Sequence, residues 1–123
     1  MQWQRRALRR HATDGQSPIV VADASGVPLL VQRDGAAPMT VEIAMGKART
    51  AAISGKETGI FESIVNGREA SPRLALLSSP LTLMEGAVPI IVEGAVAGAV
   101  GVSGVRSDQD AQVAKAAVAA LLA

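Results

Sequence analysis

The apolar positions of this chain follow two different periods. Residues 18–23 (PIVVAD) and 27–34 (VPLLVQRD) are short β-rich runs on either side of Ala24-Ser25-Gly26, the pattern of two strands joined by a hairpin. From Thr40 to Ser54 the period lengthens. Val41, Ala44, Met45, Ala48 and Ala52 recur at helical spacing, and Gly55 is placed to cap the helix. A second helix is expected from Thr58 through GIFESIV, closed by Asn66-Gly67. Ser71 and Pro72 then supply a start signal for one or two further turns. Three more strands are expected over 81–85 (LTLME), 88–93 (VPIIVE) and 95–103 (AVAGAVGVS), the last two joined by a tight turn at Glu93-Gly94. Ser107 followed by Asp110 resembles a capping box, and Ala111, Ala114, Val118 and Leu121 share one face of a closing helix. Residues 2–12 read as a short amphipathic helix with Trp3, Ala7 and Leu8 near one face. Because hairpins rather than long crossovers join most strands, the order predicts an α+β fold with a five-stranded antiparallel sheet flanked by helices.

Composition adds a constraint on the core. The 123 residues are one domain's worth, 49% of them hydrophobic, yet with one Phe, one Trp and no Tyr the core must be built largely from Ala and Val. Small side chains bury less area each, so further burial between copies of the chain, a homo-oligomer, is expected. There is no cysteine, hence no disulfide, thiolate metal site or thiol nucleophile. No apolar run reaches the ~20 residues that span a bilayer. The N-terminal residues lack the pattern of a secretory signal, which makes the cytoplasm the default compartment.

The charge is uneven. Arg5, Arg6, Arg9 and Arg10 leave eight basic residues against eleven acidic ones over 12–123. A mildly acidic body and a short basic arm do not make a nucleic-acid-binding surface, and the arm reads as a solvated or subunit-contacting helix rather than a membrane anchor.

The stretch GAVAGAVGVSGVRSDQDAQ, residues 94–112, has the strand, glycine turn and helix layout of a phosphate cradle. Its spacing excludes that use. Gly98, Gly101 and Gly104 stand three apart, not in the dinucleotide fingerprint, no Gly-Lys-Ser/Thr follows, and the surrounding pattern is not a βαβ unit. Alternation places Gly98 and Gly104 on one strand face and Gly101 on the other, where missing side chains admit a helix, another backbone or a flat ligand. A metal centre has little to build on: Asp108 and Asp110 are separated by about 200° around a helix, and Asp110 has a capping role.

Four stretches taken together, VVADASGVPLLVQRDGA, IAMGKARTAA, EGAVPIIVEGAVAGAVGVSG and SDQDAQVAKAAVAAL, resemble the GlcG/HbpS family, which includes the C-terminal domain of PduO-type proteins. The likeness runs from about residue 17 to the C-terminus. It implies a profilin-like fold for one domain over 1–123, with 1–16 as a shortened, Arg-rich N-terminal helix and linker. It also implies a small-molecule-binding protein with haem or another tetrapyrrole as the ligand. On that reading His11, the chain's one histidine, is the candidate axial haem ligand, with a methionine (Met1, Met39, Met45 or Met84) as a conceivable second.

Lys47 and Thr50 share a helix face and can hold a carboxylate or a propionate, or form a solvated or subunit-contacting surface; Arg49 points elsewhere. Gly101 and Gly104 would let the ligand lie against the last strand, in a cleft between the long helix, the EGAVPI turn and the GVSG segment. Two other functions stay open. One is an enzyme of small-metabolite chemistry, with Glu85 as acid or base and Arg33 or Lys47 holding an anion. The other is a non-catalytic accessory protein whose helices serve subunit contacts.

Overall fold

The computed structural model describes residues 17–33, 35–66, 81–104 and 107–123. His11, the helix expected over 2–12 and the turns expected after Ser71 lie outside the described residues. Strand β1 (Ile19–Asp23) and strand β2 (Pro28–Gln32) form the first hairpin. Asp23 makes the turn: its Oδ1 accepts the Ser25 and Val27 backbone N–H groups at 2.8 and 3.0 Å, and Gly26 takes a left-handed φ of 80°. Helix α1 (Pro38–Ser54) begins with proline in its first turn and ends where Gly55, at φ 69°, donates its N–H to the Ala51 carbonyl. Helix α2 (Thr58–Asn66) follows directly.

Strands β3 (Ala87–Val92) and β4 (Ala95–Val102) form the second hairpin, and helix α3 (Ser107–Leu122) closes the chain. Glu93 and Gly94 both adopt positive φ, 51° and 79°, the pair of left-handed residues that a two-residue hairpin with right-handed strand twist requires.

The sheet has the order β2-β1-β4-β3, and every neighbouring pair is antiparallel. The described residues thus form a four-stranded sheet, not the five-stranded one expected. Residues 81–85 are irregular. The physical reason lies in where the backbone groups near that edge find partners. The Thr82 N–H goes to the Thr50 hydroxyl on α1, and the Glu85 N–H goes to the Glu62 carboxylate on α2, each at 2.8 Å. At the adjoining start of β3, the Thr58 hydroxyl meets both the N–H and the carbonyl of Ala87. Side chains of two helices have taken the places that a fifth strand would fill.

Helices cover both faces of the sheet. On one face Ile19, Val21, Val88, Val100 and Val102 pack with Val113, Ala114 and Ala117 of α3. On the other, Val20, Ala22, Ala87 and Ala99 meet Ala44, Ala48, Ala51 and Ala52 of α1. This second face explains the alanine-rich composition. Gly101 sits under α1, where an added Cβ would run into the Ala44 carbonyl and come within 2.6 Å of the Ala48 nitrogen. Of the three partners that missing side chains could admit, the one Gly101 meets is the helix backbone.

Candidate functional site

The features expected to form a ligand cleft do converge, but around a side chain. Lys47 stands on the alanine stripe of α1, flanked by Ala44, Ala48 and Ala51, and only 1% of it is exposed. Its Nζ lies 3.1 Å from Asp110 Oδ2 on α3 and donates to the Val102 carbonyl at 3.1 Å. Gly86, at φ 142°, completes the chamber, since a Cβ there would stand 2.6 Å from Nζ. The lysine therefore links the helices of the two faces past the end of the sheet. The EGAVPI turn and the end of β4 are in place, and the space between them and α1 is filled by Lys47. Asp110 lies in the first turn of α3, where the helix dipole favours a negative charge. Both charges are buried, so each depends on the other for its solvation.

Thr50 is also inward-facing, 1% exposed. Its hydroxyl donates to the Gly46 carbonyl at 2.8 Å and accepts the Thr82 N–H. Gly46 gives Thr82 room, because a Cβ there would collide with the Thr82 hydroxyl. Thr50 and Gly46 together fix the segment 81–84 against α1.

That segment separates two clefts. The larger, about 380 Å³, is lined mainly by Val65, Leu81, Leu83 and Met84, with Glu62 and Asn66 at α2. The smaller, about 260 Å³, lies between the β1–β2 turn and α1, with Glu42, Met45 and Arg49 on its helical wall. Thr82 belongs to both.

The remaining candidates are dispersed. Glu85 is half-buried, and its Oε2 would stand 2.7 Å from a Cβ added to Gly59, which puts the carboxylate on the first turn of α2, a favourable place for negative charge. Arg33 is exposed and donates from Nε to the Ala36 carbonyl at 2.8 Å, bracing the loop before α1. Gly104 is exposed at φ 117° and carries the chain from β4 toward α3. Lys47 and Thr50 come together, on the inner side of α1. Arg33, Glu85 and Gly104 do not join them.

Two parts of the arrangement escape the sequence reading. One is the role of Asp110, whose partner is 63 positions away. Its signal was a lysine set inside an alanine stripe, which calls for a buried anion. The other is the apolar cleft, hidden because residues 81–85 read as a strand.

Comparison with known proteins agrees with this architecture. The family model HbpS-like, described as haem degrading protein HbpS-like, matches residues 5–119. Protein GlcG of Escherichia coli strain K12 is 49% identical over 87 residues, 69% of this chain and 62% of GlcG, so the match spans less than two thirds of that relative. Among solved structures, Klebsiella pneumoniae protein ORFY superposes with a TM-score of 0.84 at 28% identity, covering 99% of this chain and 87% of its own. A PduOC:heme complex gives 0.77 at 28% identity over 97% and 89%. A double mutant of Streptomyces reticuli HbpS gives 0.81 at 27% identity over 97% and 81%. The match over nearly the whole chain, with the same fold recurring in each of these structures, shows that the protein belongs to the HbpS-like family.

Proposed function

We propose that this protein binds a small apolar, planar ligand, haem or another tetrapyrrole, in the cleft between α2 and residues 81–84. Family membership and the haem complex of a structural neighbour support the ligand class. The observation that carries the location is the cleft itself. Its volume of about 380 Å³ falls in the range of small-molecule sites, and its walls are Val65, Leu81, Leu83 and Met84.

The donor set suits the group in outline. Met84 is 44% exposed and brings a thioether to the cleft, and thioether and imidazole are both ligands that haem iron accepts. His11, the chain's one imidazole, would hold the iron as proximal ligand. Bound haem would supply redox and oxygen chemistry. The chain's own residues bind the ring and exclude water from its faces. Thr50 and Gly46 act as positioning residues, since they hold the cleft wall. Self-association belongs to the same reading, because Leu29, Val31, Ile60 and Ile64 leave apolar side chains exposed.

Haem titration of the full chain tests the proposal. A Soret band that saturates is expected, weakened in Val65→Arg, which fills the cleft, and displaced in His11→Ala. Absence of any Soret change in the wild type overturns the binding. An unchanged band in His11→Ala removes His11 as ligand, and an unchanged titration in Val65→Arg removes the cleft.

A further inference from the structure

The smaller cleft has a different chemistry, and the tetrapyrrole reading makes no use of it. Four residues of α1 line its long wall, Glu42, Met45, Gly46 and Arg49, and three of them carry side chains at successive helical contacts: Glu42, Met45 and Arg49. The spacing of three and then four residues puts them on one face, with the Cα atoms of Glu42 and Arg49 about 10.5 Å apart along the axis. Both ends are exposed, and Met45 between them is half-buried. Neither the Glu42 carboxylate nor the Arg49 guanidinium makes an ion pair or side-chain hydrogen bond among the described residues, with each other or with a neighbour. Two opposite charges thus flank an apolar floor and leave about 260 Å³ between the helix and the β1–β2 turn.

The cationic pole is also held in place. Gly26 of that turn lies against the Arg49 stem, close enough that an added Cβ would stand 2.8 Å from Cγ. Gly26 has φ 80°, and Asp23 pins the turn through two backbone hydrogen bonds. A rigid turn thus presses on the aliphatic part of Arg49 and leaves its guanidinium for other partners. Pro28, on the opposite wall, adds a second apolar surface to face Met45.

From this geometry we infer that the cleft is a recognition site for a small zwitterion whose ammonium and carboxylate groups are separated by a short alkyl chain. The carboxylate takes the guanidinium of Arg49, for which a paired hydrogen-bonding geometry is available. The ammonium takes the Glu42 carboxylate. The alkyl spacer lies across Met45 and Pro28. A ligand with one charge leaves the other pole unused, so the site discriminates by charge pattern as well as by length.

The experiment is a titration of the full-length ¹⁵N-labelled protein with ε-aminocaproate, γ-aminobutyrate, caproate and hexylamine, read from the backbone amides of Gly26, Gly46 and Arg49. Saturable shifts are expected for ε-aminocaproate, with affinity up to about fivefold above caproate or hexylamine for each exposed charge pair. Arg49→Gln should reduce ε-aminocaproate to the level of hexylamine, and Glu42→Gln to the level of caproate. The exchanged variant Glu42→Arg with Arg49→Glu should bind the zwitterion again, in the opposite direction, which separates lost charge from lost structure. No saturable shift with any probe overturns the inference, as does equal affinity for ε-aminocaproate and caproate, or undiminished binding in Arg49→Gln. The probes are colourless and the readout is local, so this result stands or falls independently of haem binding.

Discussion

The two faces of the sheet are packed by opposite means. Toward α3 the interior is filled with branched side chains, Ile19, Val21, Val88, Val100 and Val102 among them. Toward α1 it is filled mainly by small residues and backbone: alanines on the helix, alanine on β1, β3 and β4 beside Val20, and no side chain at Gly101. The first face gains its stability by area removed from water, about 1.5–3 kcal/mol for each large apolar side chain. The second gains less per residue but brings a helix into direct contact with a strand. That closeness lets Lys47 and Thr50, both side chains of α1, reach backbone groups at the sheet's end and beyond its edge. Two buried polar side chains, Lys47 and Thr50, thus come from the closely packed face, and Asp110 answers Lys47 from the other.

The largest effect should come from breaking the connection between the faces. Asp110→Ala leaves the Lys47 ammonium buried without its anion, and removing one partner of such a pair costs about 3–5 kcal/mol. Chemical denaturation should show this as a lower midpoint at constant slope. The double variant Lys47→Met with Asp110→Leu should recover most of the loss, since an apolar pair of similar size removes both the charges and their desolvation. If the double variant is as unstable as Asp110→Ala, the interaction is not an ion pair in the energetic sense.

Adjacent residues of β4 sharpen the contrast between the faces. Gly101→Ala adds one methyl where the Ala44 carbonyl and Ala48 nitrogen stand, atoms of a helix backbone that cannot swing aside. The expected loss is about 3 kcal/mol, the upper end for overpacking. Val100→Ala, one position earlier and facing α3, should cost about 2 kcal/mol through the opposite change, a removed pair of methyl groups and a partly relaxed cavity. Equal tolerance of an added methyl at Gly101 and at Ala114 would show that the α1 face is not the tighter of the two.

How far this was readable from the chain follows from the range of each interaction. Asp23 with Gly26, Glu93 with Gly94, and Gly55 after α1 each act within a few residues, and the two hairpins and the helix end stand where those residues put them. The α+β class and the antiparallel pairing follow from the same local signals. Residues 81–85 carry a strand's apolar pattern and do not form one, because the Thr82 N–H is taken by a hydroxyl 32 positions away and the Glu85 N–H by a carboxylate 23 positions away. Periodicity cannot report a competitor that far along the chain. The apolar cleft was hidden with it. Lys47 was legible as a cation sharing a helix face with Thr50, but its inward direction depended on an anion that reads locally as a cap.

A smaller effect, and one that joins stability to function, lies at Thr50. Its hydroxyl is the acceptor for the Thr82 N–H, and Thr82 begins the wall shared by both clefts. Thr50→Val keeps the shape but leaves a half-buried backbone donor without its partner, a loss of about 1–3 kcal/mol. Thr50→Ser restores the oxygen and should recover most of it. Stability alone would show only that the hydrogen bond exists. Haem affinity shows whether the bond positions the ligand: in Thr50→Val the wall of Leu81, Leu83 and Met84 loses its tether to α1, so binding should weaken while the Val100→Ala variant, equally destabilised from the other face, binds haem normally. If both variants lose affinity in proportion to their stability, Thr50 supports the fold and nothing more. If only Thr50→Val does, the close packing of the α1 face holds the ligand cleft in shape.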